Sequence, residues 1–249
     1  MEPHSAPAGT AVGAAAEAAR GPASDVGAPP RQRWRLVLAR SAEAPRIAGR
    51  EVADAWEEAL EATGLPVHRA AGRARTRVAF AAPLQLGIAA EQELAEVFLA
   101  ERVPIWRVRE ALADRLPTGW RLVDLFDVWV GGPPLAGRVV AAEYRIELDA
   151  VPDMDRLAGA ARSLLAAREL PRIRQKGESS VAYDLRPLLL DVTVRPDEGS
   201  VIRVRTRIHP ELGTGRPEEA LAALGDQLGQ PLVVHAIVRE RIILSGEVG

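Results

Sequence analysis

The chain has 249 residues, a formal net charge of −2 and no cysteine. The missing thiols exclude disulfides, thiolate metal sites, a catalytic cysteine and a cysteine-held iron–sulfur cluster. The near-zero charge gives no overall field for nucleic acid, so any such binding must rest on local patches.

Arg20 is set against Glu2, Glu17 and Asp25 at the N-terminus, which leaves equal numbers of basic and acidic residues beyond residue 30. Lys176 is the sole lysine. An arginine bias this strong marks a GC-rich coding sequence, so no single arginine counts as a functional signal. Hydrophobic residues make up 47% and aromatics 4%, so Ala, Leu, Val and Ile must build the core. No apolar run is long enough for a membrane span. The N-terminus lacks a basic then apolar leader, so a cytoplasmic location is expected.

Residues 1–30 are rich in Ala, Gly, Pro and Ser and carry little bulk, which predicts a disordered tail. Alternation in 33–40 puts Trp34, Leu36 and Leu38 on one face of a strand. The spacing of Val52, Ala55, Trp56, Ala59 and Leu60 predicts an amphipathic helix stopped by Gly64 and Pro66. Residues 75–80 and 95–100 read as strands separated by the Pro- and Gly-punctuated turn PLQLGI (83–88). Pro104 opens a second helix with Ile105, Val108, Leu112 and Leu116 inward. Residues 120–130 close this half as a strand. The break GGPPLAG (131–137) separates it from the second half.

There the pattern recurs. A strand at 139–148 is followed by a helix capped by Asp153. A hairpin at 170–175 and 180–185 turns around Lys176-Gly177. Strands at 188–194 and 201–208 precede a helix opened by Pro217, with Leu221, Leu224 and Leu228 inward, and a strand at 232–244 ends the half. Two β-α-β-β-α-β runs in tandem predict an α+β protein of two ferredoxin-like halves with antiparallel sheets, at 31–132 and 137–249.

Several segments together resemble a bacterial radical-SAM-linked family, a domain of unknown function found beside or fused to cobalamin-type radical SAM proteins. They are the strand at 33–40, TGLPV (63–67), VAFAAPLQLGI (78–88), VAAEYRIEL (140–148), KGESSVAYDLRPLLL (176–190) and RPEEALAAL (216–224). The resemblance runs from about residue 33 to 244. It implies a non-catalytic accessory protein whose partner is a radical SAM protein. The chain departs from the family at PRIAGREV (45–52), which lacks the usual His, at AAGRART (70–76), which lacks the usual aromatic, Asn and Pro, and at Ala79, which replaces a Ser. It keeps scaffold positions and loses polar ones, as a divergent member would.

No catalytic set, cofactor motif or metal motif is legible. His4, His68, His209 and His235 have no helical partner spacing. Ser179-Ser180 are not in a nucleophile elbow. GTGRPEE (213–219) places Glu218 and Glu219 where a phosphate would have to sit, so it reads as a helix cap. The carboxylates Glu51, Asp54, Glu57, Glu58 and Glu61 cover a solvated helix face. Arg172, Arg174 and Lys176 read as a charged hairpin edge.

Two arginine groups are candidate RNA or anion contacts: Arg69, Arg73, Arg75 and Arg77 around one loop, and the ridge Arg203, Arg205 and Arg207 on one strand face. A solvated face explains both more simply, because no aromatic accompanies them for stacking. Leu84, Leu86 and Ile88 are candidate partner contacts, with plugging of the sheet end as the alternative. The accessory role is thus the first functional reading, and RNA binding through an arginine-lined groove is the second.

Overall fold

The computed structural model describes residues 28–47, 50–69, 78–149, 153–177, 179–195 and 200–246. The expected tail lies outside these residues, except for its last three.

The first half runs β1 (Gln32–Arg40), α1 (Arg50–Ala62), β2 (Ala79–Phe80), β3 (Ala89–Leu99), α2 (Ile105–Ala113) and β4 (Trp120–Val128). The second runs β5 (Val139–Leu148), α3 (Met154–Ala166), β6 (Pro171–Lys176), β7 (Ser179–Asp184), β8 (Leu189–Arg195), β9 (Val201–His209), β10 (Gly213–Thr214), α4 (Pro217–Leu228) and β11 (Val234–Leu244). The fold is therefore mixed α+β, with four α-helices among the described residues.

The helix ends follow local chemistry. The Asp153 carboxylate accepts from the Arg156 N–H at 3.0 Å and caps α3. Pro217 supplies a fixed φ at the start of α4, where no helical N–H partner is needed. Gly229 ends α4 at φ 72°, a conformation that a side chain would strain.

Strand order in the first half is β4-β1-β3-β2, and in the second β8-β9-β5-β11, with antiparallel neighbours throughout. The two expected sheets are in fact one nine-stranded sheet. Because β2 is two residues long, the N-terminal stretch of β3 keeps a free edge. β11 fills it in parallel, Val238 opposite Ala89 and Arg239 opposite Ala90. β6 and β7 form a separate two-stranded hairpin.

One sheet face carries the helices. In the first half Trp34, Leu36, Leu38, Ala95, Val97 and Leu99 pack under Trp56, Leu60, Val108 and Leu112. Trp56 meets Phe80 and Trp120 edge-on, with ring centroids 5.5 and 5.4 Å apart. In the second half Ile146, Val192, Ile202 and Val204 pack under Leu157, Leu164, Leu221 and Leu224. Burial at roughly 25 cal/mol per Å² of apolar surface makes these two clusters the main source of stability.

Candidate functional site

The seam between the halves is built on buried charge. Arg239 on β11 donates to both oxygens of Glu93 on β3, one bond measuring 2.5 Å, and both residues are buried. Its remaining N–H groups hold the Pro83 carbonyl at 3.0 Å and the Ala82 carbonyl at 3.3 Å. The loop with the family-like wording is thus strapped onto the sheet by an arginine from the far end of the chain. With its amide turned so that the nitrogen faces α4, Gln85 in that loop donates to Glu218 at the start of that helix at 2.6 Å. Burial pushes the Glu218 carboxyl above its usual range. Beside it, a cavity of about 770 Å³ runs along α4 over Leu221, Leu232, Val234 and Ile237.

A second buried pair locks the linker. Arg33 bonds Glu96 at 2.5 Å, and its guanidinium also holds the carbonyls of Gly132 at 2.9 Å and Pro133 at 2.8 Å. Arg35 grips the other Glu96 oxygen at 2.9 Å. Of the two buried glutamates, Glu93 stood out in the sequence only as part of the family-like wording, and Glu96 not at all. The available signal was a strand whose carboxylates Glu93 and Glu96 sit among Ala, Val and Leu, so that each must find a cation.

The helix-free face of the second half is an ion lattice. Arg203 pairs with Glu240 at 2.7 Å, Arg205 with Glu143 at 2.5 Å, and Arg241 with the same Glu143 at 2.5 Å. Arg145 reaches Glu91 at 2.7 Å, Glu240 at 3.4 Å and also Glu147. Hydrogen bonding from Arg241, then Arg205, holds the Glu143 carboxyl below its usual range despite partial burial. Arg207 donates to the Pro187 carbonyl at 3.1 Å. Of the other arginine group, Arg69 pairs with Glu61 at 3.3 Å, while Arg73, Arg75 and Arg77 lie outside the described residues.

The candidate partner loop is divided. Leu86 is 57% exposed, Leu84 is half-buried and Ile88 is buried. The described histidines have local roles: His68 meets the Ala28 carbonyl at 2.8 Å, His209 caps its own turn, and His235 pairs with Asp149 at 3.1 Å. Among the described residues no group of three His, Asp or Glu converges for a metal. No helix among them is long and apolar enough to cross a membrane.

A third feature lies at one end of β4, the outermost strand of the first half. Trp106 is 63% exposed, Phe126 49% and Trp129 76%. They are the exposed rings among the chain's five Trp, three Phe and two Tyr. Gln32 holds this end together: its amide donates to Asp127 at 2.8 Å, and its oxygen accepts the Val103 N–H at 2.8 Å. The start of α2 and the end of β4 are thereby fixed side by side. Arg31, Arg102 and Arg107 are exposed at the same end and have no carboxylate partner among the described residues. Glu101, Glu110 and Asp127 are exposed acids in the same stretches.

Residues 33–218 match a family described as an uncharacterized protein conserved in bacteria, DUF2344. No curated protein matches the sequence. Among solved structures, a Cbf5–Nop10–Gar1 complex aligns with 11% identity and a TM-score of 0.46, covering 84% of this chain and 48% of that one. The archaeal box H/ACA sRNP Nop10–Cbf5 complex aligns with 12% identity and a TM-score of 0.40, covering 84% and 47%. The chain therefore spans about half the length of these structures.

Proposed function

The chain belongs to this uncharacterized bacterial family, and we propose that it binds single-stranded RNA at the outer end of β4. The reading rests on three exposed rings at this end of the first half, Trp106 on α2 and Phe126 and Trp129 on and after β4, and on three guanidinium groups without a carboxylate partner among the described residues, Arg31, Arg102 and Arg107; Phe126 follows the core-facing Leu125 and so stands on the sheet face opposite α2. Unpaired bases stack on exposed rings, and arginines meet the intervening phosphates. The ridge of Arg203 and Arg205 contributes less, because Glu240 and Glu143 already offset its charge. Arg207, Arg69 and the arginines at 73, 75 and 77 are secondary contacts in this reading.

The two strand orders support reading the halves as ferredoxin-like units, with domains at 31–132 and 137–249, on a shared sheet. A second reading, docking to a protein such as the radical SAM partner implied by the resemblance, draws on the exposure of Leu86. Fluorescence anisotropy with a labelled oligoribonucleotide tests the first. Three phosphate contacts give a slope of log K against log salt of about −2. Replacing Phe126 and Trp129 by Ala should weaken binding at least tenfold, at ~1–3 kcal/mol per stacked base. Absence of binding at low salt, or indifference to both salt and substitution, refutes RNA binding. Co-purification with a protein partner that Leu86→Asp abolishes supports the second reading.

A further inference from the structure

Arg40, the last residue of β1, is buried, and no carboxylate lies within ion-pair distance of it among the described residues. Its guanidinium donates to two neutral acceptors, the Ile88 carbonyl at 3.0 Å and the Pro45 carbonyl at 2.9 Å. It lies over the Trp120 ring, 5.9 Å from the centroid. Burial pulls the guanidinium below its ordinary range, with the more distant Glu93 opposing the shift. A buried cation left with carbonyls and a ring face is under-compensated compared with Arg33 and Arg239, which each hold a carboxylate directly.

Arg40 also lines a cavity of about 400 Å³ beside α1. The walls are mainly apolar, from Ile47, Val52, Ala59 and Leu116, and Trp120 forms part of the lining. Trp56 lines the same cavity, is fully buried, and its indole Nε1 has no partner. Glu58 lines it too and is exposed. The approach of Gly119 to Ala44 holds the 41–47 loop in place as a wall, backed by the Ser41 N–H bond to the Gly119 carbonyl at 2.9 Å.

We propose that this cavity binds a small monocarboxylate with an apolar body, its carboxylate paired with Arg40 and its body against Ile47, Val52, Ala59 and Leu116. Pockets of this size with mostly apolar walls and a few charged groups take such amphipathic ligands. A single guanidinium matches a single negative charge, and Glu58 disfavours a dianion such as a phosphate monoester. The site is independent of the RNA surface, which lies at the opposite end of β1.

Hexanoate is the probe, with hexanol and hexylamine as controls, titrated against the full chain by calorimetry and by tryptophan fluorescence. Hexanoate should bind saturably and raise the melting temperature. Hexanol should bind about tenfold more weakly, the value of one charge-assisted pair. Ala59→Leu fills the cavity without touching Arg40 and should abolish binding in a folded protein. Arg40→Gln should erase the preference for hexanoate over hexanol. If Arg40→Gln fails to fold, the Ala59→Leu result decides. Equal binding of hexanoate and hexanol, binding that survives Ala59→Leu, or no binding of hexanoate overturns the assignment.

Discussion

Arg239 and Glu93 meet across the parallel seam of the sheet, one from each half, and each is the other's charged partner in a buried setting. The pair joins β11 to β3, and through Ala82 and Pro83 it also fixes the loop after β2.

Removing one member strands the other. Glu93→Gln or Arg239→Met should each cost about 3–5 kcal/mol in denaturant unfolding. The double replacement Glu93→Leu with Arg239→Met should cost much less than the two single effects combined. Additive costs would show that the residues act separately.

Gly119 has φ 81°, and a Cβ there would lie 2.4 Å from the Ala44 Cβ. Gly119→Ala should therefore destabilise by about 2 kcal/mol or more, combining left-handed strain with overlap. Gly177, also at positive φ but with open space around it, isolates the strain alone. Its replacement by Ala should cost less in the same assay.

Two carboxylates should drive stability in opposite directions with pH. Glu143 has a folded-state pKa depressed from 4.5 by Arg241 and Arg205. Its contribution is present above pH 4.5 and is lost as pH falls through the lowered folded value. Glu218 is raised from 4.5 by burial. The folded state then holds its proton more tightly, so stability falls as pH rises from 4.5 through the raised value. Urea melts across this range should show Glu143→Gln less acid-sensitive than the native chain. Glu218→Gln should lose less stability than the native chain as pH rises.

The β6–β7 hairpin is tied to α4 through Arg174, which forks onto Glu219 at 2.7 and 2.5 Å and lies 4.6 Å from the Tyr183 ring centroid. Burial, with the Glu219 carboxylate adding, pushes the Tyr183 hydroxyl up to about 12. Lysine cannot reproduce the fork. Arg174→Lys should speed amide exchange in 171–184 while leaving β5 and β9 protected. Unchanged exchange in the hairpin would show that the arginine does not hold it.

Local chemistry was legible in the sequence. The alternation in β1 and β5, the Asp153 cap and the Pro217 start of α4 all fall where period and capping put them. Long-range pairing was not. β3 begins at Ala89 rather than Ala95 because its polar first residues are matched by β11 and by arginines on other strands. Ile105 shares the spacing of Val108 and Leu112, yet it is exposed. Trp106, Phe126 and Trp129 lie in three different local contexts, and the tie that Gln32 makes between the start of α2 and the end of β4 has no one-dimensional signature. The arginines dismissed as a codon bias include Arg33 and Arg239, whose partners are buried and distant in sequence.

The parallel seam also sets an order of events. β11 follows the sheet's other described strands along the chain, yet it lies in the middle of the sheet, between β5 and β3. During synthesis both neighbours wait with open edges until residues 234–244 have emerged. The first half can collapse early around Trp56, but its β3 edge at Ala89–Ala90 stays available to any passing strand until then. A nascent chain that has emerged only as far as α4 would thus carry an open border along β3, which residues 234–244 close.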